Sequence, residues 1–321
     1  MLSFFTSLFN SLPNAFGQGL IWGIMAIGVY ITYRILDIAD LTVDGTLATG
    51  GAVAAIAITV FKLDPWIAIL LAVFAGMLAG LVTGLLHTAC GIPAILSGIL
   101  TQLALYSINL RVLAIGIAAP TNANVSLQSR FSDIEVLISG FYIREFSLRN
   151  PIILLVIFVA AVIGILYWFF GSEVGSALRA TGANGNMARA QGINTNFGKV
   201  LGLMISNGLV ALSGALLAQF SGSATVDMGK GAIVIGLAAI IIGEVLLSKV
   251  FRNFALKLLT CVIGAILYYV VVTAVLGFSF VESSDLNLLT ALVVGLFLSI
   301  PFWKGKYFNK SAKGGLHYAK H

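Results

Sequence analysis

Charge is what this sequence has least of. Asp, Glu, Lys and Arg together make up 9% of its 321 residues, where a soluble domain carries about 25%. So few charges cannot cover a surface facing water, which excludes ordinary soluble enzymes and disordered chains. Cysteine is also scarce. Cys90 and Cys261 are the whole supply, far apart and each among apolar residues. That excludes a disulfide scaffold, and both read as small buried hydrophobes. The three histidines, His87, His317 and His321, show no metal-ligand spacing. No phosphate-binding loop of the form G-x-x-x-x-G-K-[ST] is present, and Gly305-Lys306-Tyr307 is no substitute. The chain alone is therefore not expected to hydrolyse ATP. Its Ser, His and carboxylate residues fall into no catalytic spacing, so an enzyme is not the expectation.

What the chain has in abundance is apolar length and glycine. Hydrophobic residues make up 59%, and there are 35 glycines. Glycine costs roughly 1 kcal/mol in a soluble helix interior. Inside a bilayer, small residues let helices approach closely, and glycine is accordingly more frequent there. The apolar runs are helical in length, and the alternating segments of about 10 residues that build membrane barrels are missing. The expected fold class is an all-α membrane protein, a polytopic bundle of about 8–10 transmembrane helices in one domain, 1–321.

Spans of about 20 residues fall at 16–35, 43–61, 66–87, 93–116, 151–170, 199–220, 232–248, 257–277 and 286–303. Residues 1–13 read as a separate short amphipathic stretch along the interface, with Phe4, Phe5, Leu8 and Phe9 at near-helical spacing. Basic residues set the orientation. The tail 304–321 holds Lys304, Lys306, Lys310, Lys313 and Lys320. The loop 171–198 and its edge hold Arg179, Arg189 and Lys199. Lys249, Arg252 and Lys257 follow the seventh span, and Arg34 closes the first. Nine spans put all four groups, twelve of the 18 basic residues, on the cytoplasmic side, with the N-terminus outside.

Two long connections interrupt the spans. Residues 117–150 form an extracytoplasmic loop with mixed charges and enough Val, Ile, Phe and Tyr for a small hairpin; a plain connection and a protein-docking surface are both open readings. Residues 171–198 form a cytoplasmic loop with strong helix punctuation. Ser172 or Ser176 can cap a first short helix to about Thr181, and Gly182 suits its C′ position. Asn184 or Asn186 can cap a second short helix ending at Gly192. Connections are usually about 4–6 residues, so a loop this long reads as a rigid docking knob.

The run Leu178-Arg179-Ala180-x-Gly182-x-Asn184, followed by Ala188, Gly192, Ile193 and Asn194, resembles the coupling-helix segment of ATP-binding cassette (ABC) importer permeases of the branched-chain amino acid and ribose class. Gly208 to Gln219 resembles that family's next span. So do Gly23 to Tyr30 and the stretch Ile38-Ala-Asp40-Leu-Thr42-Val-Asp44-Gly45-Thr46. Within the class the likeness is to tryptophan/tyrosine transport permeases. One departure is Ile242-Gly243-Glu244, where many of the class are Gly-Gly-rich.

The resemblance implies a type II importer-like fold and a homodimer around one central pathway in a bacterial cytoplasmic membrane. Two ATPase copies would carry ATP and Mg, and an external binding protein would deliver the solute; nucleic acid is not an expected partner. It assigns ATPase coupling to Ser176, Leu178, Arg179, Ala180, Gly182, Asn184, Ala188, Arg189, Gly192 and Asn194. No cofactor or metal is expected on this chain.

Polar residues inside spans are the pathway candidates, because polarity at depth faces a neighbouring helix or water. Gln102, Tyr106 and Asn109 share one face of span four by spacing, with Ser97 and Thr101 adjoining; Ser206 and Asn207 lie in span six. Few charges line such a route, which suits a neutral or zwitterionic solute. Asp44, at the cytoplasmic start of span two, reads as a packing cap or a gate. Glu244 reads as half of an ion pair or a contact to the inner loop. The Gly-rich segment 221–231 reads as a flexible outer loop or a re-entrant element. The rival reading is a secondary transporter or channel, which calls for a mid-span carboxylate or a broken helix; the acidic residues read as lying near span ends.

Overall fold

The chain was described as a computed structural model covering residues 2–115, 124–126, 136–138, 140, 143, 150–247, 253–276, 288, 291–292, 294–296 and 299. Ten helices are defined among the described residues: α1 (Leu2–Tyr30), α2 (Thr42–Thr59), α3 (Pro65–Thr88), α4 (Ala94–Leu113), α5 (Pro151–Gly171), α6 (Glu173–Ala183), α7 (Gly185–Ala190), α8 (Thr195–Ser221), α9 (Ala232–Leu247) and α10 (Phe254–Leu276). Eight helical segments are long and apolar enough to cross a membrane, and each matches an expected span within a few residues. Most of the ninth, 286–303, most of 117–150 and all of the tail 304–321 lie outside the described residues.

Local chemistry sets the ends. Asp64 and Asn150 cap α3 and α5, each followed by proline at the first helical position. Gly222, at φ 67°, closes α8 in the left-handed conformation. Residues 2–13 are not a separate element. They run unbroken into α1, with Pro13 inside the helix. A π-helical turn, Ile31–Ile35, ends that span.

α2 is the central helix, buried along nearly its whole length against α3, α4 and α8. Glycine makes this possible. Gly50 lies on the backbone of Ala211, and Gly214 on the carbonyl of Leu47. Gly76 and Gly80 of α3 meet the carbonyls of Asn207 and Leu203 in the same way. A Cβ at any of these positions would separate the helices, the small-residue packing of a bilayer protein.

These contacts also fix depth. α2 runs parallel to α8, and its first turn lies beside Asn207, about 18 Å up from the start of α8 at 1.5 Å per residue. So α2 begins inside the bundle, a little over one turn in from the end of α3, where Thr42 meets Thr83, and from the start of α4, where Leu41 packs on Gly98. The chain climbs there without regular helix from Leu36, packed at Gly202, to Asp40, bonded to Asn207. α9 begins at the same level from the opposite side, after a strand, Ser223–Thr225, and a 3-10 turn, Val226–Gly229, that descend along α2. The segment 221–231 is therefore re-entrant. Unwound backbone at such depth persists only where protein or a water-filled cavity satisfies it.

Five of the twelve basic residues used for orientation, Arg34, Arg179, Arg189, Lys199 and Lys257, fall among the described residues. Arg34 pairs with Glu244 at 3.1 Å, Lys199 Nζ lies 3.2 Å from His87 Nε2, and Gly182 packs on Ile35, all at one end of the bundle. At the other end, β1 (Asn124–Ser126) pairs antiparallel with β2 (Ser223–Thr225). The outer loop's strand thus pairs across the molecule rather than within its own hairpin. Cys261 is buried, whereas Cys90, in the turn after α3, is exposed.

Candidate functional site

The starts of α2 and α9, helices of 18 and 16 residues, meet head to head. Asp44, in the first turn of α2, accepts the backbone amides of Gly231 and Ile233 at 3.1 and 2.9 Å. It caps α9 across the fold, where the free N–H groups and the positive end of the helix dipole favour a carboxylate. Asp44 lies at the start of span two, as expected, and the helix it caps is α9 rather than its own. Asp40 does the same locally for α2, accepting Thr42 N at 2.9 Å through Oδ1.

Asn207 joins this break to α8. Its Nδ2 donates to Asp40 Oδ2 at 2.7 Å and to Leu203 O at 3.0 Å; its Oδ1 accepts the Thr46 hydroxyl at 2.7 Å. The Thr42 and Thr83 hydroxyls meet at 2.8 Å, tying α2 to α3. Asn109 Nδ2 donates to Gly45 O at 3.2 Å, tying α4 to α2. These side chains are all buried, and a buried carboxylate is tolerable only when so bonded. Two carboxylates thus flank the start of α2, Asp40 buried and Asp44 partly so. Among the described residues, no three His, Cys, Asp or Glu side chains cluster as a metal site.

The expected pathway residues separate into two sets. Ser97, Thr101 and Asn109 form the buried face of α4 against α2, with Ser97 and Thr101 bonding their own helix at Ala94 O and Ser97 O. Ser206 donates to Gly28 O at 2.7 Å, a bond between α8 and α1, and Asn207 holds the break. Gln102, half-buried, packs on Gly45 of α2 beside Asn109, so these two share a face as expected, whereas Tyr106 is exposed. A helix face spanning about 100° divides here, because the α2 contact takes one edge of it.

The loop 171–198 folds as two helices. Ser172 Oγ caps α6 through Gly175 N at 3.3 Å, and Asn184 both ends α6 and caps α7 through Met187 N at 3.1 Å. Asn194 caps α8 through Phe197 N, and Gly192 takes φ 81° in the turn between. Gly182 is not a C′ residue. It lies within α6, where a Cβ would strike the Ile35 carbonyl. Leu178 and Ala188 are buried, Ala180 is partly so, and Leu178 packs beside Gly202. Ser176, Arg179, Asn184, Arg189, Gly192 and Asn194 stay exposed; Arg179 bonds Ser176 at 3.3 Å and Arg189 bonds Thr195 at 2.8 Å.

The family described as "Branched-chain amino acid transport system / permease component" matches residues 11–300. The chain belongs to that family. The permease is 40% identical over 290 residues to a "Tyrosine transport system permease protein" of Clostridioides difficile (strain R20291), covering 90% of this chain and 91% of that one. It is 33% identical over 293 residues to an uncharacterized protein of Rickettsia prowazekii (strain Madrid E), covering 91% and 97%. Its fold matches the solved structure "PsaBC from Streptococcus pneumoniae in complex with Fab" with a TM-score of 0.54, covering 95% and 98% at 16% identity. The permease is thus a multi-pass transport subunit with a helical bundle fold.

Sequence reasoning passed over Thr42 and Thr83, and gave Asp40 and Thr46 no role beyond the resemblance. A signal was present: Asp40, Thr42, Asp44 and Thr46 alternate with apolar residues. Thr42, Asp44 and Thr46 nonetheless lie in the first turns of α2, and only Asp40 precedes it.

Proposed function

We propose that this permease is the membrane subunit of an ATP-driven importer for an aromatic α-amino acid. Two copies enclose one pathway, each holding one ATPase at the α6–α7 knob. A binding protein delivers the solute at the end carrying β1 and β2. In this reading the knob and the tail 304–321 face the cytoplasm of a bacterium. ATP and Mg act on the ATPase chains, and this chain converts their closure into alternating access.

One observation carries the reading. Gly182 of α6 rests on the Ile35 carbonyl, where the chain leaves α1 and climbs to the Asp40–Asn207 break. A push on the exposed face of α6 and α7 therefore reaches the middle of the bundle through packed backbone. The 40% identity to a tyrosine transport permease supports the substrate class.

The test is uptake of labelled L-tyrosine by cells expressing the permease with its ATPase and binding protein. Uptake that needs ATP, with an ATPase co-purifying with the chain, is the expected result. A secondary transporter is the second reading, favoured by the carboxylates Asp40, buried, and Asp44, partly so, that flank the start of α2. Uptake driven by a proton or sodium gradient without an ATPase would establish it instead.

A further inference from the structure

Asp227 and Lys230 form an ion pair at 2.8 Å, and their side chains remain 57% and 70% exposed. They belong to the re-entrant turn ahead of α9. Gly229, on one side of Lys230, packs on the Asp44 carbonyl, and Gly231, on the other, donates to the Asp44 carboxylate. Met228, beside Asp227, packs on Gly51 of α2. The pair is thus anchored along the first half of α2, deep in the bundle, while its charged groups are open.

Exposed charge at that depth is costly against lipid and persists where it meets water or a binding partner. Neighbouring polarity agrees with water. The turn touches α4, whose Tyr106 is 45% exposed. Ser107 and Arg111 are exposed further along the same helix. The exposed side of α4 thus carries a phenol, a hydroxyl and a cation among the apolar Leu103 and Ile108, next to the charges of the turn.

We propose that Asp227, Lys230 and Tyr106 form a substrate-reading station in the pathway for a zwitterionic aromatic α-amino acid. The solute's ammonium exchanges into the bond with Asp227, its carboxylate into the bond with Lys230, and its ring lies on Tyr106. The two charges of the free pair satisfy each other until the zwitterion replaces each with its opposite. This station rests on the amino-acid reading above and adds the groups that recognise the solute.

The test is equilibrium binding of labelled L-tyrosine to the purified full-length chain in nanodiscs, alongside uptake by the assembled transporter. The wild type should bind L-tyrosine. Tyramine, without the carboxylate, and 3-(4-hydroxyphenyl)propionate, without the amine, should compete at least about tenfold less well. Lys230→Gln should abolish the penalty against tyramine, and Asp227→Asn the penalty against the propionate, each weakening L-tyrosine binding severalfold. The double exchange Asp227→Lys with Lys230→Asp keeps an ion pair. If it, or the single variants, bind L-tyrosine with wild-type affinity and selectivity, the pair is structural and the station is overturned. Tyrosine uptake that persists unchanged in all three variants overturns the station and leaves the transport reading standing. Absence of uptake of any α-amino acid by the wild-type transporter overturns the transport reading itself.

Discussion

Asn207 Nδ2 lies 2.7 Å from Asp40 Oδ2, so the middle of α8 holds the unwound chain that feeds α2. The same amide accepts Thr46. One side chain therefore fixes both the approach to α2 and its first turn. Replacing Asn207 with leucine strands a buried carboxylate and a hydroxyl. The expected cost is about 2–4 kcal/mol, from a charged hydrogen bond lost together with the desolvation it offset. Thermal unfolding monitored by size-exclusion chromatography should show a clear fall. Asp40→Asn, which keeps one acceptor, should fall less, and a wild-type profile for Asn207→Leu would contradict this role.

Asp44 holds α9 rather than its own helix. Asp44→Ala frees the amides of Gly231 and Ile233, and loss of a cap costs about 0.5–2 kcal/mol. Hydrogen exchange at 231–235 should speed up, with the helix ends at the basic face unchanged. Uptake should drop more than thermal stability does, because the turn carrying Asp227 and Lys230 loses its anchor.

Gly182 and Gly185 offer a matched pair on the knob. A Cβ at Gly182 would meet the Ile35 carbonyl, while nothing lies within 4 Å of one at Gly185. Gly182→Ala should cost about 1–3 kcal/mol of strain and sever ATP use from uptake while the bundle stays folded. Gly185→Ala should behave as wild type in both assays. Equal behaviour of the two variants would remove the knob-to-break route.

The residues expected to line the pathway should now divide. Ser206→Ala removes one interhelical bond, which averages about 0.6 kcal/mol in membrane proteins, and should leave uptake intact. Tyr106→Ala, on the open side of α4, should lower uptake by severalfold without detaching the ATPase. Asn109→Ala should behave as a packing variant, lowering thermal stability first. Uptake assays beside ATPase co-purification separate these outcomes.

The Arg34–Glu244 pair is a weak contributor despite its 3.1 Å contact. Both side chains are substantially open, at 58% and 32%, and such pairs are worth about 0–1 kcal/mol. Glu244→Gln should shift thermal unfolding little, and raised salt should shift the wild type just as little.

The sequence by itself determined the solvent, the spans and the knob. Apolar runs of about 20 residues, a handful of basic residues at one end, and Ser172, Asn184 and Asn194 at helix starts are local signals. Each acts through neighbours within a few residues, so composition and spacing reveal them. The 178–194 pattern was likewise legible because it is contiguous. The depth of α2 was not. Its apolar run looks like an ordinary span, and long-range contacts, among them the bonds of Asp40 and Thr46 to Asn207 more than 160 residues away, place its start inside the bundle. Tertiary structure also decided that Asp44 caps α9, that Gly182 serves contact rather than a turn, and that Asn109 turns inward while Tyr106 stays open. Those outcomes depend on which helices lie side by side, and long-range hydrogen bonds and close backbone packing, not local propensity, choose the neighbours.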